Sequence, residues 1–125
     1  MDTAQMEREL RDALGAHGVW KLKLRTAVNT GKSDTDAATA GRDDCCQFGK
    51  WLYGPSIDSE TKAGKPYEVI TRLHAEFHQT AGRVLEMATS GNKDRATDLL
   101  NTDFSAKSSK LTMAIAKWRA ELKQR

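Results

Sequence analysis

His74-Ala75-Glu76-Phe77-His78 is the stretch on which the fold turns. In an α-helix the second histidine lies about 40° round from the first and one turn along, so both imidazoles leave one face. The flanking residues predict that helix. Tyr67, Ile70, Leu73, His74, Phe77, His78, Ala81, Val84, Leu85 and Ala88 recur at three- and four-residue steps. The pattern starts at Pro66, which suits a first turn, and runs to about Thr89, with Gly91 placed to end it and Asn92 to cap the next helix. The chain has three histidines, and the third, His17, falls on another apolar stripe; Cys45 and Cys46 lie between. Zinc takes four nitrogen or sulfur donors in a tetrahedron. The expectation is one zinc shared by His17, one cysteine, His74 and His78.

Working outward, Met6, Leu10, Ala13, Leu14, His17, Trp20, Leu24, Ala27 and Val28 predict a first helix from Asp2 or Thr3, either of which can cap, to about Asn29. Gly15 and Gly18 flank His17 and would let another backbone or a metal shell approach. Thr30 to Arg42 and Ser56 to Lys65 read as polar loops. Between them Asp43 or Asp44 offers a cap for a short helix, Cys45 to Tyr53, stopped by Gly54-Pro55. Helical phase puts Cys45 with Phe48 and Leu52, as a core residue, and Cys46 with Gly49 and Tyr53, beside a gap. That mildly favours Cys46 as the ligand. A last helix runs from about Lys93 to Lys123 on Ala96, Leu99, Leu100, Phe104, Leu111, Ile115, Trp118 and Leu122, with a polar middle at Ser105 to Lys110 where it can bend or face a partner. Amphipathic helices of this length cannot bury their stripes alone. The fold expected is all-α: an antiparallel helical bundle of three long helices plus one short helix carrying the Cys motif, a single domain over residues 1–125.

Composition narrows the function classes. The 20 basic and 17 acidic residues of the 125 nearly cancel, to a net +3, much of the surplus lying in Lys107 to Arg125. Basic residues interleaved with aromatics and few acids, the mark of a nucleic-acid surface, form only a weak pattern here, and a solvated helix face is the better reading. No apolar run approaches the roughly 18 residues of a membrane span, and no signal-peptide core follows Met1. The expectation is a cytoplasmic protein with no membrane insertion and no nucleic-acid partner. Adjacent cysteines bridge only through a strained ring, so a ligand or reactive thiol is the better reading.

Three elements together resemble the chemoreceptor zinc-binding (CZB) domain family of bacterial signalling proteins. They are His17 followed by Trp20-Lys21, then Cys46-Gln47-Phe48-Gly49-Lys50-Trp51-Leu52-Tyr53, then His74-Ala75-Glu76-Phe77-His78. They look like the family's His-x-x-Trp, Cys-x-[Leu/Phe]-Gly-x-Trp-[Leu/Tyr] and His-x-x-x-His elements, in order and at similar separations. The resemblance implies zinc ligands at His17, Cys46, His74 and His78. It further implies a homodimeric sensory domain attached to a chemoreceptor or diguanylate cyclase, or standing alone. Such a domain reports zinc, or an oxidant such as hypochlorous acid, through the metal-bound cysteine. Cys45, directly before the matched cysteine, departs from the pattern.

Two other readings compete. A zinc hydrolase or lyase needs a coordination position open to water. The pair is not His-Glu-x-x-His, however, and Glu76 points about 200° from His74, so no general base faces the metal. A metal-free helical interaction module would leave the histidines merely packed. No catalytic residues are assigned. Glu76 and Asp44 are the carboxylates considered for the free imidazole nitrogens. Trp20, Phe48, Trp51, Phe77 and Trp118 are read as core or dimer contacts, with Trp20 and Trp51 as candidate walls of the site.

Overall fold

The computed structural model describes residues 3–123; the proposed cap at Asp2 falls outside them. Those residues form helices joined by turns and short loops, with no strand among them: α1 (Thr3–Thr30), α2 (Ala37–Ala40), α3 (Gln47–Tyr53), α4 (Ser59–Lys62), α5 (Lys65–Thr89), α6 (Lys93–Leu99) and α7 (Ser105–Lys123). The first two apolar stripes of the sequence became the long helices α1 and α5, and the third is divided between α6 and α7; α1, α5 and α7 pack on one another. Their stripes meet in a core that includes Leu10, Leu24, Ile70, Phe77, Leu85, Phe104, Leu111 and Ile115. Burying a Leu, Ile or Phe side chain contributes about 1.5–3 kcal/mol, so these stripes, not helix propensity, hold the bundle.

Direction follows from contacts near the ends. Glu7 accepts from Arg119 Nη2 at 2.6 Å, so α1 and α7 run antiparallel. Met6, Pro66, Tyr67 and Trp118 line one surface hollow, which puts the starts of α1 and α5 beside the end of α7. α1 and α5 are therefore parallel to each other and antiparallel to α7. The chain between them, residues 31 to 64, crosses back along the bundle and carries both cysteines.

That crossover holds more helix than the polar loops expected there. Asp36 caps α2 by accepting from Thr39 N at 2.7 Å, and Asp58 caps α4 by accepting from Thr61 N at 2.8 Å. Both are single turns set by an Asp placed three residues before an amide, a signal the apolar period does not show. The short helix α3 starts at Gln47, not Cys45, and Cys46 itself is the cap, its Sγ accepting from Gly49 N at 3.3 Å. Asp43 instead accepts from the Tyr53 hydroxyl, and Asp44 pairs with Arg42.

Gly91, at φ 88°, turns the chain after α5, and Asn92 N returns to Met87 O at 2.8 Å. The expected last helix is interrupted. Leu100–Phe104 form a π-turn, with the Ser105 hydroxyl donating to Leu100 O at 2.9 Å. The irregularity thus lies just before the polar segment where a bend was expected. It seats Phe104, fully buried, against Phe77, with ring centres 5.0 Å apart.

Candidate metal centre

Four side chains from three segments meet at mid-height in the bundle. His17 comes from α1, Cys46 from the cap of α3, and His74 and His78 from consecutive turns of α5. One ligand atom from each lies within 4.8 Å of all the others. Cys46 Sγ is 3.4 Å from His74 Nε2 and 3.6 Å from His78 Nε2. Zn–S of about 2.3 Å and Zn–N of about 2.0–2.1 Å at the tetrahedral angle place sulfur about 3.6 Å from nitrogen. The two measured separations match that edge.

The backbone fixes two of the rings. His17 Nδ1 donates to Ala13 O at 2.7 Å, and His78 Nδ1 donates to Ala40 O at 3.0 Å. Each bond commits the proton to Nδ1 and leaves a lone pair at Nε2. His17 Nε2 is buried with no hydrogen-bonding partner. Such an orphan costs roughly 1–3 kcal/mol unless something accepts its lone pair, as a zinc ion would. His74 has no such carbonyl; packing orients its ring against Phe48 at 5.2 Å and His17 at 5.1 Å.

Burial sets the protonation. Desolvation lowers the His17 pKa to about 4, despite the opposing bond to Ala13. It also lowers those of His74 and His78, His74 further through the neighbouring histidines. All three rings are thus held neutral, the form that binds metal. Burial pushes the Cys46 thiol up, against the pull of the amides at Gly49 and Phe48. A zinc ion would supply the missing stabilisation of its thiolate, so the donor set fits the metal the sequence implied.

The carbonyls of Ala13 and Ala40 take the role for which Glu76 and Asp44 were considered. Glu76 faces away, held by Lys107 Nζ at 2.6 Å and Arg72 Nη1 at 3.4 Å; Asp44 binds Arg42. Cys45 lies before α3, so the helical phase that made it a core residue does not apply; it is half-buried, with Sγ 3.6 Å from Asp44 Oδ1. Gly15 and Gly18 admit no close neighbour, since a Cβ at either would meet nothing within 4 Å. Trp20 does wall the site, its ring edge-on to His78 at 5.7 Å, whereas Trp51 lies one layer out, stacked on Phe48 at 5.8 Å.

One positioning residue escaped the sequence reading. A Cβ on Gly82 would come within 2.9 Å of both Ala37 O and Gly41 Cα, so α2 rests directly on α5 at this point. That contact brings Ala40 O within reach of His78 one turn earlier. A glycine one turn past His78, on the same buried face, was the available signal. Gly82→Ala is expected to lift α2, break the His78–Ala40 bond and weaken zinc binding about 10- to 100-fold. Competition with a chelating dye measures this, and an unchanged affinity would show the carbonyl to be dispensable.

No helix among the described residues is long and apolar enough to cross a membrane. Comparison with curated proteins and with solved structures gives no match. Residues 17–85 match the family described as the chemoreceptor zinc-binding domain, a span that opens on His17 and takes in Cys46, His74 and His78. The match covers more than half of the chain, which therefore belongs to the chemoreceptor zinc-binding domain family.

Proposed function

We propose that residues 1–125 act as one zinc-binding sensory unit of bacterial signal transduction, in which His17, Cys46, His74 and His78 hold a single ion with no position left for water. The observation that carries this is the convergence of three neutral imidazoles and one thiol, with one ligand atom from each within 4.8 Å of all the others. Four protein ligands make a structural or regulatory zinc, not a hydrolytic one, so we infer no catalysis. The charge balance agrees: one thiolate leaves +1 on the site, and the Ala13 and Ala40 carbonyls face that charge through the imidazoles.

The ion ties α1, α3 and α5 together, and its binding is worth on the order of 10 kcal/mol, so occupancy fixes how these helices sit. The thiolate is the oxidisable ligand. Transfer of OH from hypochlorous acid to sulfur forms the S–O bond, breaks O–Cl and releases chloride; the resulting sulfenic acid has lost the ligand's charge and holds zinc poorly. Zinc level and oxidant thereby act through one atom. The output is a chemoreceptor or a diguanylate cyclase, reached in the cytoplasm by a homodimer of this unit.

Zinc content before and after one equivalent of oxidant, followed together with oligomeric state, tests the proposal. One zinc per chain as purified, released on oxidation with a change in assembly, is the expected result. Cys45→Ala should alter neither stoichiometry nor release. Cobalt substitution without a thiolate charge-transfer band would instead indicate an open, histidine-only site.

A further inference from the structure

The cluster is not sealed. A cleft of about 60 Å³ leads from the surface between α1 and α3 to His17 and Cys46, with Trp20 as a wall and Glu9, Asp12 and Gln47 also lining it. A water molecule takes up about 30 Å³ of liquid, so the cleft has room for about two waters or for a molecule of a few heavy atoms, and a divalent cation passes only after shedding most of its hydration shell. At its inner end His17 is 95% buried, and its Nε2 has no hydrogen-bonding partner. Cys46 beside it is only half-buried.

The charges that face this passage are mostly negative. Glu9 and Asp12 lie one turn apart on α1, and Asp43 bears on Cys46 from the crossover. Two cations lie nearby: Arg11 Nε is 3.7 Å from Asp12, both side chains being more than half exposed, and Lys23 lies over the Trp20 ring at 5.0 Å. Neither lines the cleft, whereas Glu9 and Asp12 do. Carboxylates within a Debye length of a narrow, low-dielectric channel concentrate cations and repel anions.

We propose that this cleft is the route by which Cys46 is approached, and that it selects by size and charge, admitting divalent cations and small uncharged electrophiles while turning anions away. The inference rests on the reading of Cys46 as the reactive ligand. It names the chemical class that reaches it: an undissociated hypohalous acid or hydrogen peroxide rather than hypochlorite or an anionic disulfide. Glu9 and Asp12 set that preference without touching the metal.

Two alkylating agents of nearly equal size isolate the charge. With iodoacetamide or iodoacetate the Cys46 thiolate attacks the CH2 carbon, the S–C bond forms, C–I breaks and iodide leaves. Both reactions need the same thiolate, so the ratio of their rates cancels its ionisation. The full chain carrying Cys45→Ser is used as purified and again after zinc is chelated. If chelation unfolds it, the first sample alone supplies the ratio. Relative to 2-mercaptoethanol in the same buffer, the neutral reagent is expected to be favoured by a further factor of about 5. Glu9→Gln with Asp12→Asn should lower that excess at least about twofold, as should raising the salt to about 0.5 M. Asp98→Asn, on α6 and not lining the cleft, should not. The salt titration carries the test if the double variant folds poorly.

A ratio equal to that of 2-mercaptoethanol, a ratio indifferent to the double substitution and to salt, or no alkylation by either reagent would each overturn the assignment. The outcomes separate from those of the zinc proposal. Full zinc binding with a charge-blind ratio removes the cleft's selectivity alone, and a charge-dependent ratio in a chain that holds no zinc removes only the metal reading.

Discussion

His78→Ala yields a chain that keeps no zinc through dialysis and is several kcal/mol less stable than the parent. His78 contributes one of four ligands, and its ring also connects the crossover to α5 through Ala40 O at 3.0 Å. Structural zinc sites supply about 10–16 kcal/mol of binding free energy, and whatever binds only the folded chain stabilises it by mass action. Urea unfolding with and without chelator checks the prediction. The parent should lose stability when the metal is removed, and the variant should be indifferent to chelator because it has nothing left to lose. Cys46→Ala should behave the same way. A parent whose unfolding midpoint ignores chelator would mean that the bundle stands without the ion. Zinc retained by Cys46→Ala would move the sulfur ligand to Cys45.

Gly49→Ala is the second large effect, and no metal ligand is altered by it. A Cβ at this buried position would lie 1.8 Å from Asp43 O and 2.8 Å from Asp43 C. Those are backbone atoms, so no side chain can swing aside. The segment holding Asp43 to Cys46 must come off α3, and the bond from Gly49 N to Cys46 Sγ at 3.3 Å goes with it. Overpacking against backbone costs about 3 kcal/mol or more. The expected result is a chain with His17, His74 and His78 intact and the thiol withdrawn. Cobalt loaded into it should lack the sulfur charge-transfer band that the parent displays. A band of parental strength would show that the segment can shift without losing Cys46.

How much was legible in the sequence divides along the same line as local and tertiary structure. The long helices were legible because each carries an apolar stripe of many turns, and burying that stripe outweighs any local preference. His17, His74 and His78 were legible because polar residues inside such stripes need a reason. Cys46 was separable from Cys45 only mildly by phase. The phase argument assumed a helix from Cys45, whereas the helix begins two residues later, at Gln47, because the sulfur itself serves as the cap. The turns at Asp36 and Asp58 were hidden since a single capped turn has no period. The groups facing the imidazoles were hidden for a deeper reason. They are the carbonyls of Ala13 and Ala40, and every residue has a carbonyl; only the path of the backbone selects which one counts. Carboxylates such as Glu76 attract notice in a sequence, yet Glu76 serves the join between α5 and α7 through Lys107.

The clasp between Glu7 and Arg119 has a mechanical consequence. It joins the first turns of α1 to the last turns of α7, at the pole where α5 also begins. His17 lies ten residues further along α1, about 15 Å at the helical rise per residue. A tilt of α1 pivoting near the ion therefore reaches this pole of the bundle over that lever arm, with the opposite end of α1 moving the other way. A few degrees there amount to about 1 Å of travel, enough to part a 2.6 Å contact between guanidinium and carboxylate.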